Sequence, residues 1–261
     1  MRKYLIVLKT SIKSNLIYRQ EVFGRSFFML MIMYIFICLW KVGYNGKNEI
    51  CNYSYIQMIY YLLITETIAL SKMNNITTKI SDEVKSGLIA YNLNKPFNYI
   101  IYHFFNELGA TFPKIIINLS VGFIVIWIVL GSCLINFIGL VISIISVLLS
   151  ICIDYCFSIL IGLISFKMED VSGINMIYQK INQIFGGLFI PLSFLPIWMG
   201  NIAKVLPFSA IYNLPAELYT NFSFDNVISV FAKQGIWIVI MSVVLLLFYK
   251  HNIKYLSLNG G

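Results

Sequence analysis

The feature that most constrains this chain is a series of long apolar runs. Residues 136–166 contain a single charged side chain, Asp154, and form a run longer than one straight helical crossing of a membrane needs. A hydrocarbon layer about 30 Å thick is crossed by roughly 20 helical residues, and a helix satisfies its own backbone hydrogen bonds within that layer. This run therefore predicts a membrane-spanning helix.

The composition agrees with a helical membrane protein. Of the 261 residues, 59% are hydrophobic and 11% are charged, whereas roughly 25% are charged in an ordinary soluble domain. A soluble core of this size could not bury so many apolar side chains and still leave a wettable surface. The composition excludes a disordered protein, a collagen-like protein and a typical soluble enzyme.

Six apolar runs predict an all-α polytopic membrane protein that forms one transmembrane domain over 1–261. The fifth run carries Gly186, Gly187, Pro191 and Pro196, so we expect its helix to be interrupted. The predicted spans are 26–44, 55–71, 113–130, 136–166, 181–199 and 235–249.

The basic residues predict which side of the membrane each segment faces. With the N-terminus inside, 15 of the 19 Lys and Arg residues fall on the cytoplasmic side, and Lys41, Lys47, Lys204 and Lys233 fall outside. This bias matches the rule that positive loops stay in the cytoplasm, and an odd number of spans would weaken it. The net charge of +8 is then explained by loops that face anionic lipid headgroups rather than nucleic acid.

Two segments outside the spans have a helical apolar pattern. In the predicted N-terminal interface helix, 1–25, Leu5, Leu8, Ile12 and Leu16 recur at helical spacing beside lysines; a plain cytoplasmic tail is the alternative. The external segment 200–226 is too polar for a full crossing and too apolar for a free loop. We expect it to form short re-entrant helices that dip into the outer leaflet.

The cytoplasmic region 72–112 predicts a short charged helix that can couple to a soluble partner. Ile80–Ser86 can form about two turns, with Asp82 and Glu83 near the start, where the helix dipole favours acids. Gly87 is a suitable C-terminal stop. Pro96 can open a second, amphipathic helix that reaches Leu108 and continues into the third span. A folded loop without a partner is the alternative interpretation.

The chain contains no recognisable catalytic or metal-binding motif. The phosphate-binding pattern G-x-x-x-x-G-K-[ST] is absent, as are H-E-x-x-H, G-x-S-x-G and the EF-hand loop. The histidines, His103 and His251, are more typical of interfacial side chains than of ligands or bases. We therefore predict no enzyme activity, cofactor or metal on this chain, and any ATP hydrolysis on another polypeptide.

Two acids lie within predicted spans and are candidates for the substrate path. They are Glu66 in the second span and Asp154 in the fourth. A carboxylate in the bilayer is costly, so by default it indicates function: lining a watery path, binding a cationic group or carrying a proton. Pairing with a neighbouring helix, or a position near a span end, are the alternatives. The glycines Gly186 and Gly187, with Pro191, are candidate hinge or packing residues.

Three stretches resemble one known family, the small six-span bacterial permeases of type-2 ABC exporters. The first, LIYRQEVFGR over 16–25, has a Tyr-Arg pair followed by an acid. The second resembles the family string G-x-I-a-y-x-L-x-x-P and its closing Leu-Gly at Gly87, Ile89, Ala90, Tyr91, Leu93, Pro96, Leu108 and Gly109. The third has the family's IPL and LPF strings and spaced prolines at Gly187, Ile190, Pro191, Leu192, Pro196, Leu206, Pro207, Phe208 and Pro215.

The resemblance implies a division of labour. Two permease subunits, alike or different, would form the membrane path, and a cytoplasmic ABC ATPase dimer would supply ATP and Mg chemistry beneath them. It also implies that Ile80, Ser81, Asp82, Glu83, Val84, Lys85 and Ser86 form the coupling helix that docks on the ATPase. The Lys- and Asn-rich loop departs from the family's usual arginines without breaking the helix pattern.

On this resemblance the leading hypothesis is an exporter of amphipathic substrates, such as a drug, peptide antibiotic or lipid, in the bacterial cytoplasmic membrane. Both chain ends would lie in the cytoplasm, and membrane lipids would be further partners. Two alternatives stay open. An accessory immunity or sensor protein that binds a toxic peptide can have the same sequence features, and a membrane-embedded lipid-modifying enzyme needs a polar cluster that the sequence does not supply.

Overall fold

Helices dominate the chain, which confirms the all-α fold class. The computed structural model describes residues 2–17, 19–72, 76–131, 136–168 and 170–259. Its α-helices are α1 (Arg2–Ile17), α2 (Arg19–Tyr44), α3 (Tyr55–Ser71), α4 (Ile76–Lys85), α5 (Leu88–Leu93), α6 (Tyr99–Leu130), α7 (Phe137–Ile164), α8 (Ser172–Gly186), α9 (Ile197–Val205), α10 (Asn213–Thr220) and α11 (Phe224–Asn259). A two-residue antiparallel pair, β1 (Glu49–Ile50) and β2 (Tyr53–Ser54), joins α2 to α3.

Within the described residues, four helices are long and apolar enough to cross a membrane by length and composition. They are Ser26–Tyr44 in α2, Tyr99–Leu130, Phe137–Ile164 and Phe224–Asn252 in α11. They correspond to the predicted first, third, fourth and sixth spans. The other two predicted spans fall on shorter helices, α3 and α8, so the count of six spans remains a prediction.

The predicted second span is the central helix of the fold. Helix α3 packs against α2, α6 and α10 and buries most of its residues, including Thr65, Glu66 and Thr67. Its 17 residues rise about 26 Å at 1.5 Å each. Because protein surrounds it, polar side chains in α3 meet other helices and need not face lipid.

The region predicted as the fifth span is not one helix. Helix α8 begins at Ser172, nine residues before the predicted start, and ends at Gly186. Gly187 then adopts a left-handed conformation with φ of 77°, and its N–H closes the helix end on Gln183 O and Ile184 O. Pro191 precedes a 3-10 turn over Leu192–Phe194, and α9 starts after Pro196. The apolar run 181–199 therefore comprises part of α8, an extended break and the start of α9.

Two further boundaries differ from the predicted ones. The N-terminal interface segment 1–25 divides into α1, which ends at Ile17, and the first turns of α2. The helix that contains the predicted third span starts before Pro113: α6 runs unbroken from Tyr99 to Leu130 with this proline inside it. The residue four before Pro113 is Gly109, whose lack of a side chain leaves room where helix α1 crosses: an added Cβ would lie 2.6 Å from Leu8 O.

Candidate functional site

The predicted coupling segment lies in helix α4. One face of this helix packs against α7. Ile76, Thr77, Ile80 and Ser81 are buried, and the Thr77 hydroxyl donates a hydrogen bond of 3.0 Å to Ser158 O on α7. Ile80 lies against Gly162 of α7, where an added Cβ would come within 3.0 Å of its side chain. The helix starts four residues before the predicted Ile80, because Ile76 and Thr77 already belong to its buried face.

The opposite face of α4 is polar and open. Asp82, Lys85 and Ser86 are exposed, and a shallow groove of about 480 Å³ runs beside them, lined by Thr78, Lys79, Asp82, Glu83, Ser86 and Leu88. The chain leaves α4 through Gly87, whose φ of 73° is left-handed, as expected for a glycine stop. Helix α4 thus has one face that packs against α7 and another, charged face that is exposed.

Glu83 lines the groove but is less exposed than Asp82 and Lys85, because its side chain contacts α6. Its Oε2 accepts a hydrogen bond of 2.7 Å from the Tyr99 hydroxyl at the start of α6, and His103 Nε2 lies 4.0 Å from its Oε1. The sequence grouped Glu83 with Asp82 and Lys85, because spacing alone does not say which neighbouring element packs on a helix. Of the three charges, Asp82 and Lys85 remain available to a partner.

A buried polar cluster lies next to α4 and contains one of the two predicted path acids. Asp154, in the second half of α7, accepts hydrogen bonds on Oδ1 from Lys72 Nζ at 2.7 Å, the Tyr178 hydroxyl at 2.7 Å and Asn182 Nδ2 at 3.3 Å. Lys72 caps the C-terminus of α3 and is the last residue described before α4. Its ammonium group also lies 4.7 Å from the ring centre of Tyr212. A cationic cargo would have to displace Lys72 to reach this carboxylate.

The cluster joins the C-terminus of α3 to α7 and α8. The lysine and aspartate side chains are 7% and 6% exposed, so their charges are held in a low-dielectric interior where attraction is strong. On the other side of the α3 terminus, Asn118 of α6 donates a 3.0 Å hydrogen bond to Ser71 Oγ. The end of α3 is therefore clamped between α6 and α7.

The second predicted path acid, Glu66, is also buried and lies within electrostatic reach of Tyr212. It is 2% exposed, and its Oε1 has no hydrogen-bond partner among the residues that the structure describes. Asp154 instead takes its hydrogen bonds from Lys72, Tyr178 and Asn182. The structure therefore surrounds the two acids differently, and a role for either in a substrate path remains a prediction.

The predicted hinge or packing residues Gly186, Gly187 and Pro191 lie in a tightly packed turn. An added Cβ at Gly186 would lie 2.7 Å from Tyr212 Cδ2 and 3.0 Å from Phe208 O. The Tyr61 hydroxyl donates a 2.6 Å hydrogen bond to Gly187 O. This geometry makes close packing a sufficient reason for the glycines, and bending at them is untested.

Sequence reasoning missed Lys72, Tyr178 and Asn182 as partners of Asp154. A signal for two of them was present, since Tyr178 and Asn182 are four residues apart and lie on one face of α8. Lys72 follows the most polar of the predicted spans. Their convergence on Asp154, however, depends on packing between segments up to 82 residues apart.

Comparison with known protein families gives a match over most of the chain. A family model described as "ABC-2 family transporter protein" matches residues 28–260, well over half of the chain. The match begins in α2, so α1 lies outside it. No curated protein is similar enough to the chain to match.

Proposed function

The chain belongs to the ABC-2 family of transporter proteins, and from that premise we propose that it is the permease subunit of an ATP-driven exporter in the bacterial cytoplasmic membrane. Family membership implies a membrane protein that associates with an ABC ATPase. In the proposed assembly two permease subunits, identical or paralogous, form the path, and an ATPase dimer beneath them binds ATP and Mg. In this proposal ATP hydrolysis takes place on the ATPase, and this chain supplies no catalytic group.

The observation that carries the proposal is that α4 packs against α7 on one face and is exposed on the other. A helix can transmit motion only if one face is attached to the moving body and another face is free for the driver. Thr77 and Ile80 attach α4 to α7, while Asp82 and Lys85 stay exposed on its other side. This arrangement supports α4 as the helix that docks on the ATPase.

The buried cluster around Asp154 supports the same mechanism, because it connects helices that lie behind α4 as seen from the ATPase. Asp154 connects Lys72, which leads into α4, with Tyr178 and Asn182 of α8. A displacement of α4 would therefore be passed to α7 and α8 through charge-assisted hydrogen bonds, which are shorter and stronger than neutral ones. We propose that ATP-driven closure of the ATPase dimer moves these helices together and opens the path for an amphipathic cargo.

The test is copurification of the ATPase with charge-reversed permeases. The double variant Asp82→Lys/Lys85→Glu reverses both free charges of α4 and leaves Glu83 with its Tyr99 contact. We expect it to fold and to lose most of the ATPase that the unmodified chain retains in mild detergent. The control Lys47→Glu/Glu49→Lys reverses two exposed charges near the start of β1 and should retain the ATPase.

Two results would count against the proposal. If the Asp82/Lys85 double variant held the ATPase as well as the unmodified chain, α4 would not be the docking helix. If transport into vesicles continued with an ATPase that cannot hydrolyse ATP, the chain would not be an ATP-driven permease. Binding of a toxic peptide without any ATP-dependent movement would instead favour an accessory immunity or sensor protein.

A further inference from the structure

A groove between α9 and α11 combines an apolar wall with two lysines. It has a volume of about 340 Å³ and is lined by Lys204, Val205, Ser209, Ala210, Leu214, Lys233, Ile236, Trp237 and Ile240. One lysine belongs to the last turn of α9, and the other lies on α11. The groove therefore has a cationic group on each of the two helices that form it.

The two lysines have little local compensation. Among the described residues, neither forms a salt bridge or a hydrogen bond, and both are exposed. Both lysines interact electrostatically with Glu217 of α10, which is partly buried. Burial raises the pKa of Glu217, and hydrogen bonding to Asn213 and the charges of Lys204 and Lys233 oppose that rise. One carboxylate facing two ammonium groups leaves a net positive rim.

The wall of the groove continues into an exposed apolar surface of α11. Ile236 is 58% exposed and Ile240 is 42% exposed, on the helix that has one of the four apolar stretches. Trp237 lies between them, and tryptophan and lysine are typical of the boundary where headgroups meet hydrocarbon. The groove is thus cationic at its rim and has an exposed apolar wall along α11.

The position of Lys233 is held by its neighbour. Gln234 is fully buried and donates hydrogen bonds to Ala210 O at 3.0 Å and Ser146 O at 3.1 Å, while Ser146 Oγ donates to Gln234 Oε1 at 3.0 Å. These bonds tie α11 to the 3-10 turn Pro207–Ala210 and to α7. The groove therefore exists before any ligand arrives, because its walls are already fixed to one another.

We propose that this groove binds one anionic glycerophospholipid, with the headgroup phosphate between Lys204 and Lys233 and an acyl chain along Ile236 and Ile240. Charge complementarity selects an anionic headgroup over a zwitterionic one, and the open apolar wall selects a lipid over a soluble phosphate. The site does not depend on the ATPase, so it can fail or hold independently of the proposed transport function.

Photo-crosslinking with the full-length chain in vesicles tests the site. A photoreactive phenylalanine analogue replaces Ile240, and the vesicles contain equal amounts of phosphatidylglycerol and phosphatidylcholine. A lysine near a charged lipid surface contributes attraction equivalent to roughly a fivefold preference, so two lysines should enrich phosphatidylglycerol at least roughly fivefold in the crosslinked product. The variant Lys204→Gln/Lys233→Gln should reduce the product ratio to that of the bulk membrane.

Matched variants separate the charge effect from misfolding. Lys204→Arg/Lys233→Arg retains both charges and should retain the enrichment. Lys41→Gln/Lys47→Gln removes two lysines from outside the groove and should leave the enrichment unchanged. Unfolding is monitored by helical content and by monodispersity in detergent, so a lost signal in a folded glutamine variant supports the proposal.

Three outcomes would overturn the inference. Equal crosslinking of the two lipids by the unmodified chain would remove the selectivity. Undiminished phosphatidylglycerol enrichment in the folded glutamine variant would show that the two lysines do not select the lipid. Loss of phosphatidylglycerol crosslinking on addition of soluble glycerol phosphate would show an anion site that does not require a lipid.

Discussion

The pair formed by Lys72 and Asp154 is stable only while both charges are present. Removing one partner of a buried ion pair leaves the other charge without compensation, at a cost of ~3–5 kcal/mol, whereas neutralising both is often close to neutral. We expect Lys72→Met and Asp154→Asn each to lower the thermal stability of the detergent-purified protein strongly. The double variant, in which the introduced amide oxygen can still accept from the Tyr178 hydroxyl, should recover much of the loss.

Asp82→Asn is the control for this comparison, because it removes an exposed carboxylate that α4 does not use in its seating. It should change the stability little, as expected for a surface charge. Additive losses in the Lys72/Asp154 double variant would show that the two side chains do not stabilise each other, and would contradict the arrangement described for the cluster.

At Gly186 the close approach of Tyr212 leaves no room for a side chain. Substitution by valine would drive carbon atoms against a ring and against Phe208 O, and overpacking of this kind costs ~1–3 kcal/mol. We expect Gly186→Val to melt at a lower temperature than the unmodified protein. Gly173→Ala, in the same helix with nothing within 4 Å of the added carbon, should melt no lower.

A result in which both glycine variants melt like the unmodified chain would remove packing as the reason for Gly186. If Gly186→Val were stable but transported poorly, the position would act as a hinge. The two roles that the sequence left open are therefore separable by measuring stability and transport on the same variant.

At the scale of elements, the sequence predicted the helices whose boundaries are set by their own residues. Helix α7 matches its apolar run within about two residues at each end, because Asn136 accepts a hydrogen bond from Gly139 N at the start and Lys167 ends the apolar stretch. Helix α4 ends at Lys85, two residues before the predicted glycine stop. These boundaries depend on local chemistry, which a sequence contains in full.

The elements that were misplaced are those defined by packing. Helix α8 begins in a polar stretch around Gly173, and its Tyr178 and Asn182 are buried because they meet Asp154 of another helix. A window that averages hydropathy favours the apolar residues after Gly186 and misses this start. The same limit hid Lys72, since a lysine after a span is typical of a loop unless its partner is known.

The contact between α4 and α7 leads to a prediction about the local stability of α4. Gly162→Leu would force Ile80 away from α7 and loosen α4 without removing an internal hydrogen bond of that helix. A loss of roughly one to two kcal/mol corresponds to amide exchange roughly 5–30-fold faster over Ile76–Lys85, measured by mass spectrometry. Gly235→Leu, at an open position on α11, should leave exchange in α4 unchanged.

Faster exchange in α4 should be accompanied by poorer transport for each ATP hydrolysed, if α4 carries the driving motion. Retained transport with a loosened α4 would place the coupling in another element. Unchanged exchange in Gly162→Leu would show that the contact between α4 and α7 is not what holds the helix.

At the scale of the whole molecule, the arrangement explains how a short helix that contains an acid can be the second crossing. Helix α3 is enclosed by α2, α6 and α10, so its length and its acid need not match a lipid environment. The sequence could predict the number of apolar runs, but it could not show which of them would be shielded by the others. Shielding of α3 would allow the predicted second crossing even though only four described helices meet the length and hydropathy expected of a span.

The alternation of sides is tested by cysteine labelling in intact cells. Four single-cysteine chains, each with the other native cysteines replaced, carry Cys51, Ser86→Cys, Asn201→Cys or Lys250→Cys, all at exposed positions. With six crossings and an N-terminus inside, a membrane-impermeant maleimide should label Cys51 and position 201 from outside. It should reach positions 86 and 250 only after permeabilisation, because the predicted second and sixth spans return the chain to the cytoplasm. Labelling of position 86 from outside would mean that α3 does not cross. Labelling of position 250 from outside would give an odd number of spans, and would separate the C-terminal end from the side on which α4 must meet the ATPase.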